Sequence, residues 1–225
     1  MQKLSIKKIV EFKGKSDKSK KHFVSILKLD KPKDKEEGGG DYWVSCLSAI
    51  SNSYKLNDIE PIIDKRIELE EKYGETEYNT TKTMYKRNID ILYNYEDFDL
   101  NQWKPLEKLK FIKKIKENSV LTIKGLQIQA TPNHVFTFQK DSIEQVGSIW
   151  FVAKLNGFSK GELGMFADIL YRYLKINFAK DYSPNSKYCI AVDVFNNLEV
   201  SFSQLENGEV PYLLNSTLDE IKKLV

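Results

Sequence analysis

Asp193 lies in the run Ile190-Ala191-Val192-Asp193-Val194-Phe195, where a free carboxylate is costly to bury. A cationic partner such as Lys154, or exposure at the end of a strand, would resolve that cost. Strand ends are also where open α/β sheets place their ligands. Asp193 and Lys154 are therefore the catalytic candidates, with structural pairing as the alternative. Lys154 has its own simpler reading, a lysine near a strand end that carries its ammonium to the sheet edge. Asp168 falls on the polar side of its helix, four residues before Arg172, as a surface ion pair would. His134 shows no serine or cysteine partner with which to form a nucleophile–base pair.

Cys46 and Cys189 are the only cysteines, far apart and each in an apolar run, which reads as two buried thiols in a reducing compartment. No C-x-x-C or H-x-x-x-H spacing exists, so no metal site is expected. Neither a Walker pattern nor G-x-G-x-x-G is present, and no cofactor is expected.

The elements that must position these residues follow from periodicity and turn chemistry. Residues 4–12 form a strand or a short helix, and Ser16 caps a helix to about Leu29. The stretch 30–40 (DKPKDKEEGGG) reads as a mobile linker. Asp41 caps the next helix, with Trp43, Leu47, Ile50 and Tyr54 as its buried stripe. A second helix runs from about Ile59 to Tyr73 and ends at Gly74, and a third spans about 80–95. These three form an antiparallel bundle or layer, followed by an exposed acidic turn at Glu96, Asp97 and Asp99.

From Ser119 the period changes to two, giving strands at 120–123, 126–130, 135–138 and 143–155, with a hairpin turn at Lys140-Asp141-Ser142. Ser159 and Glu162 form an S-x-x-E capping box for a helix to about Phe178. A loop at 181–185 leads to a central strand at 188–195, and a short helix closes the chain at 218–225. The expected class is α+β: a mainly helical part over 1–104, then a β-β-β-β-α-β domain with a mixed central sheet over 105–225.

Pro132-Asn133, followed across a hairpin by Val152-Ala153-Lys154, resembles the restriction-endonuclease-like family over residues 119–198. That family builds a metal site from Pro-Asp on one strand and Asp/Glu-x-Lys on the next. Two carboxylates hold Mg²⁺ and the lysine polarises the attacking water. Here Asn133 and Val152 stand where the two acids would be, and a hard cation does not bind a valine side chain. The resemblance implies a nuclease-like scaffold that has lost cleavage. The strand end AKL, the helix SKGELGMFADILYRYL and the strand YCIAVDVF are also similar to small accessory proteins encoded beside bacterial defence or DNA-processing genes.

Charge points to a partner. Net charge is +3, yet residues 1–35 carry twelve Lys against Glu11, Asp17, Asp30 and Asp34, or +8, leaving −5 for the rest. Lys13, Lys15, Lys18, Lys20 and Lys21, with Lys110, Lys113 and Lys114 of a second basic segment, are the candidate contacts to DNA or RNA phosphates. The plainer reading is a solvated lysine-rich surface, since Lys without Arg gives no bidentate recognition. No apolar run approaches the roughly 18 residues of a membrane span, so a cytoplasmic protein is expected. The expected function is a non-catalytic, nucleic-acid-associated accessory protein with a protein partner or a second copy of itself. A metal-dependent nuclease using Asp193 and Lys154 and a protein–protein adaptor are the alternatives.

Overall fold

In a computed structural model, residues 3–28, 42–113 and 119–225 are described. Its centre is a five-stranded mixed sheet in the order β2 (Lys110–Phe111), β5 (His134–Lys140), β6 (Ile143–Val152), β7 (Ser183–Asp193) and β8 (Leu198–Ser201). β5 and β6 form an antiparallel hairpin, closed by Asp141 and Ser142 with φ of 50° and 63°. Two consecutive positive φ values match the right-handed twist of the strands they join. The helix α6 (Lys160–Phe178) then carries the chain to β7, which runs parallel to β6.

Both faces of this sheet are covered, which explains why 149–152 of β6 and 189–192 of β7 are apolar without alternation. One face packs on α3 (Val44–Leu56), α4 (Glu60–Glu75) and α5 (Asn79–Glu96), in a core that includes Tyr54, Leu92, Trp103, Phe136, Phe151 and Val192. The other packs on α6 with α1 (Ile6–Lys13), α2 (Asp17–Lys28) and α8 (Leu214–Leu224), around Phe12, Val152, Phe166, Leu170 and Ile221. This second core draws residues from both sides of position 104. At the hairpin, a Cβ on Gly147 would lie 2.7 Å from the Phe136 ring and from the Tyr188 carbonyl. Glycine there lets the sheet and the aromatic core approach each other.

The α+β class holds, with helices first and a mixed central sheet. Several elements differ from expectation. The strands β3 (Val120–Ile123) and β4 (Leu126–Gln129) do not join the central sheet, but form a second sheet of order β1-β4-β3 with β1 (Leu4–Ser5). Such short strands carry no signal of which sheet they enter. Gly74 does not end its helix, which continues to Glu75. β7 begins at Ser183, inside the expected loop. β6 ends at Val152 rather than at 155, so Lys154 lies just beyond the strand. The 4–12 stretch, expected as a strand or a short helix, holds both, β1 and then α1, whereas the edge strands β2 and β8 and the short helix α7 (Phe202–Glu206) escaped the pattern. For α7 a signal existed, because Gln204 Oε1 accepts from the Ser201 N–H at 3.0 Å in an S-x-x-Q arrangement. The 30–40 stretch and Asp41 lie outside the described residues.

Candidate functional site

The polar residues singled out by sequence gather where β6 ends. β5 stops pairing at His134 opposite Ile149, and Asn133 extends the ladder. Its N–H donates to the Ile149 carbonyl at 3.1 Å, and its Oδ1 accepts from the Phe151 N–H at 2.8 Å. On the other flank, the Val194 N–H donates to the Val152 carbonyl at 2.9 Å. The chain then turns through Asn156 and Gly157, with φ of 66° and 70°, into the capping box of α6.

Asp193 is fully buried, and its carboxylate is consumed by this turn. Oδ2 accepts from the Phe158 N–H at 2.8 Å and Oδ1 from the Phe195 N–H at 3.1 Å. Burial pushes its pKa up, against the opposing effect of these N–H groups and of the Lys154 charge. Lys154 does not pair with it. Its Nζ donates to Glu162 Oε1 at 2.7 Å and stands 4.7 Å from the centre of the Phe158 ring. Glu162 Oε2 also accepts from the Ser159 N–H at 2.7 Å. Burial raises the Glu162 pKa, but the bonds from Lys154 and Ser159 outweigh it and hold the carboxyl below its ordinary value. Sequence reasoning missed Glu162 as the partner of Lys154 because the capping box already gave it a role.

Asp168 and Arg172 do pair, in two hydrogen bonds of 2.7 and 3.1 Å, yet Asp168 is only 2% exposed. The expected surface pair is in fact buried on its acidic side, because α8 covers that flank and Asn215 Oδ1 accepts from Arg172 at 3.1 Å. His134 also departs from expectation. Its Nε2 lies 2.8 Å from Ser51 Oγ and 2.9 Å from the Ser51 carbonyl. A carbonyl only accepts, so Nε2 carries the proton and donates, which leaves no lone pair on that nitrogen to activate the serine. The ring stacks on Tyr54 at 5.9 Å, and burial lowers its pKa. Ser51 and His134 thus tie α3 to β5, a partnership across 83 positions that no local pattern announces.

A cleft of about 460 Å³ opens beside these residues. Asn133, Val152 and Ala153 line it with the first turn of α1, one side of α3, Gln129, Thr131, Trp150, Phe158 and Phe166. The positions where the resemblance would require acids therefore face the cleft, and none of the described residues lining it is Asp or Glu. Among the described residues, no group of three or more His, Cys, Asp or Glu side chains is placed to hold a metal ion. Cys46 and Cys189 are both buried, and burial pushes the Cys189 thiol up.

The candidate phosphate contacts divide. Lys13, Lys18 and Lys21 are exposed on α1 and α2, and Lys15 is half-buried with its ammonium 6.0 Å from the Phe23 ring centre. Lys20 is committed elsewhere, donating to Glu220 Oε1 at 2.6 Å with its side chain 12% exposed. Lys110 and Lys113 are exposed on and beside β2, at the far edge of the central sheet. Lys114 lies outside the described residues. Sequence reasoning missed Lys222 and Lys223, exposed in the last turn of α8, which packs on α1 and α2.

Comparison of the chain with known protein families, curated proteins and solved structures finds no match. Among the described residues no helix is long and apolar enough to cross a membrane.

Proposed function

We propose that the chain is a non-catalytic, nucleic-acid-associated protein, an accessory subunit of a bacterial defence or DNA-processing complex built on a nuclease-like sheet. The observation that carries this reading is the cleft at the end of β6, lined by Asn133 and Val152 and by no acid of the described residues. The β5–β6 hairpin followed by α6 and a parallel β7 supports the nuclease-like resemblance. The lysines of α1 and α2 supply the electrostatic contact, and their attraction to phosphate needs no sequence recognition.

The nuclease alternative would need Asp193 and Lys154 free to act. Asp193 is instead spent on two backbone N–H groups and Lys154 on Glu162. The test measures binding of fluorescent DNA and RNA oligonucleotides by anisotropy from about 50 to about 200 mM salt, with cleavage assayed in Mg²⁺ and Mn²⁺. The reading expects binding that weakens steeply with salt and no cleavage. Cleavage abolished by Asp193→Asn, or an absence of binding at the lowest salt, would overturn it. In the latter case, copurification of one stoichiometric protein would favour the adaptor.

A further inference from the structure

The cleft has a chemistry of its own, independent of the lysines that supply the phosphate contact in the preceding proposal. Its volume of about 460 Å³ lies in the range of small-molecule sites, roughly 300–1,000 Å³. Lys7 is the one charged side chain among its described lining residues. Among the described residues, the side chains of Lys7, Gln129 and Thr131 have neither a hydrogen bond nor an ion pair, and all three are exposed. They form a polar rim over an aromatic floor. Trp150 and Phe158 both stand edge-on to Phe166, at 5.4 and 5.5 Å between ring centres, which fixes the orientation of each. The first turn of α1 adds backbone N–H groups on the same side as Lys7, a further source of positive potential.

A cation would meet Lys7 with no acid among the described lining residues to offset it, and a purely apolar ligand would bury the polar rim without partners. A planar ring bearing an anionic group satisfies both halves. We propose that this cleft binds one phosphorylated nucleoside, with the phosphate at Lys7 and the first turn of α1 and the base against Trp150 and Phe158. Gln129 and Thr131 hydrogen-bond the sugar or the base edge. The nucleotide is either free or the terminal residue of a strand.

The test is calorimetric titration of the intact chain with AMP, adenosine, inorganic phosphate and a 5′-phosphorylated oligonucleotide. Two variants control it: Lys7→Ala removes the cation from an exposed position, and Ser48→Tyr fills the cleft from the exposed side of α3. Saturable binding of AMP, weakened at least about tenfold by either variant and by loss of the phosphate in adenosine, supports a free nucleotide. The same losses seen only with the oligonucleotide support a strand terminus. Circular dichroism and a thermal melt check that both variants are folded. Absence of saturable binding, phosphate binding as tight as AMP, or binding indifferent to both folded variants would overturn the assignment. Oligonucleotide binding that survives both variants and falls only with the α1–α2 lysines overturns this site while leaving the preceding proposal standing.

Discussion

The carboxylate of Asp193 accepts the backbone N–H of Phe158 at 2.8 Å, joining the end of β7 to the turn that enters α6. With the Phe195 N–H on its other oxygen, one buried side chain satisfies two backbone donors, one buried and one partly buried. Each such donor left unpaired costs about 1–3 kcal/mol. Asp193→Ala should therefore destabilise the protein by at least about 2 kcal/mol in urea unfolding, and Asp193→Asn, which keeps one acceptor, by less. Burial holds the Asp193 pKa above its ordinary value, so the folded state keeps this proton to higher pH than the unfolded chain does. Its contribution to stability thus falls as pH rises from about 3.8 through the raised value, and Asp193→Asn should remove that slope. A folded variant of undiminished stability would show that the two bonds carry no weight.

Gly157 shares this turn. Its φ is 70°, and a Cβ there would lie 1.7 Å from Asn196 Nδ2 and 2.5 Å from Asp193 Oδ2. Alanine in the left-handed region costs roughly 1–2 kcal/mol before any clash is counted. The Asn196 amide can swing away at the loss of its 3.3 Å bond to the Asn156 carbonyl, but the Asp193 carboxylate is pinned. Gly157→Ala should lower stability by more than about 2 kcal/mol, whereas Gly208→Ala, at a φ of 76° with nothing within 4 Å, should cost only the backbone part. Equal losses from the two substitutions would remove the packing argument for Gly157.

His134 should make stability depend on pH. Burial, reinforced by the Lys55 charge, lowers its pKa below the ordinary value of about 6.5, against the opposing bond to the Ser51 carbonyl. The unfolded chain therefore takes up this proton at a higher pH than the folded one. Stability from this source is fully present above about pH 6.5 and is lost as pH falls toward the depressed value. His134→Gln should shrink the stability difference between about pH 7 and pH 5.5 relative to the parent, read from paired urea titrations. A difference unchanged by the substitution would show that the imidazole is not shielded.

The parts of this fold that the sequence disclosed are those with strong local chemistry. The Ser159–Glu162 capping box, the apolar arc of α6 and the turn at Asp141-Ser142 each depend on residues within a few positions of one another. The sheet memberships of β1 and β2 depend on pairing with strands distant in the chain, Leu4 with Ile128 and Lys110 with Thr137, for which two-residue strands carry no pattern. The site was legible in its composition but not in its pairings. Asn133, Val152 and Lys154 were found by spacing, and the absence of acids at the first two positions was read directly. That Lys154 turns to Glu162, and that Asp193 turns to backbone N–H groups, follows from a turn geometry set by Asn156 and Gly157. The buried side of Asp168 was missed for a related reason, since α8 arrives from 46 residues further on to cover it.

The lysines of the N-terminal helices offer the sharpest separation of a phosphate contact from a structural one. Lys20 pairs with Glu220 and stands 5.4 Å from the centre of the Phe12 ring, so it belongs to the packing of α2 on α8. Lys13, Lys18 and Lys21 are exposed and have no ion pair among the described residues. Each lysine that contacts a phosphate contributes about 0.9 to the slope of log affinity against log salt on duplex DNA. The triple substitution Lys13→Gln, Lys18→Gln and Lys21→Gln should therefore flatten that slope by roughly 2 to 3 while leaving the melting temperature nearly unchanged. Lys20→Gln should do the reverse, lowering stability by no more than about 1 kcal/mol, as expected for a partly exposed pair, with the salt slope kept. An unaltered slope in the triple variant would move the phosphate contacts away from α1 and α2, to Lys110 and Lys113 at the β2 edge or to Lys222 and Lys223 on α8.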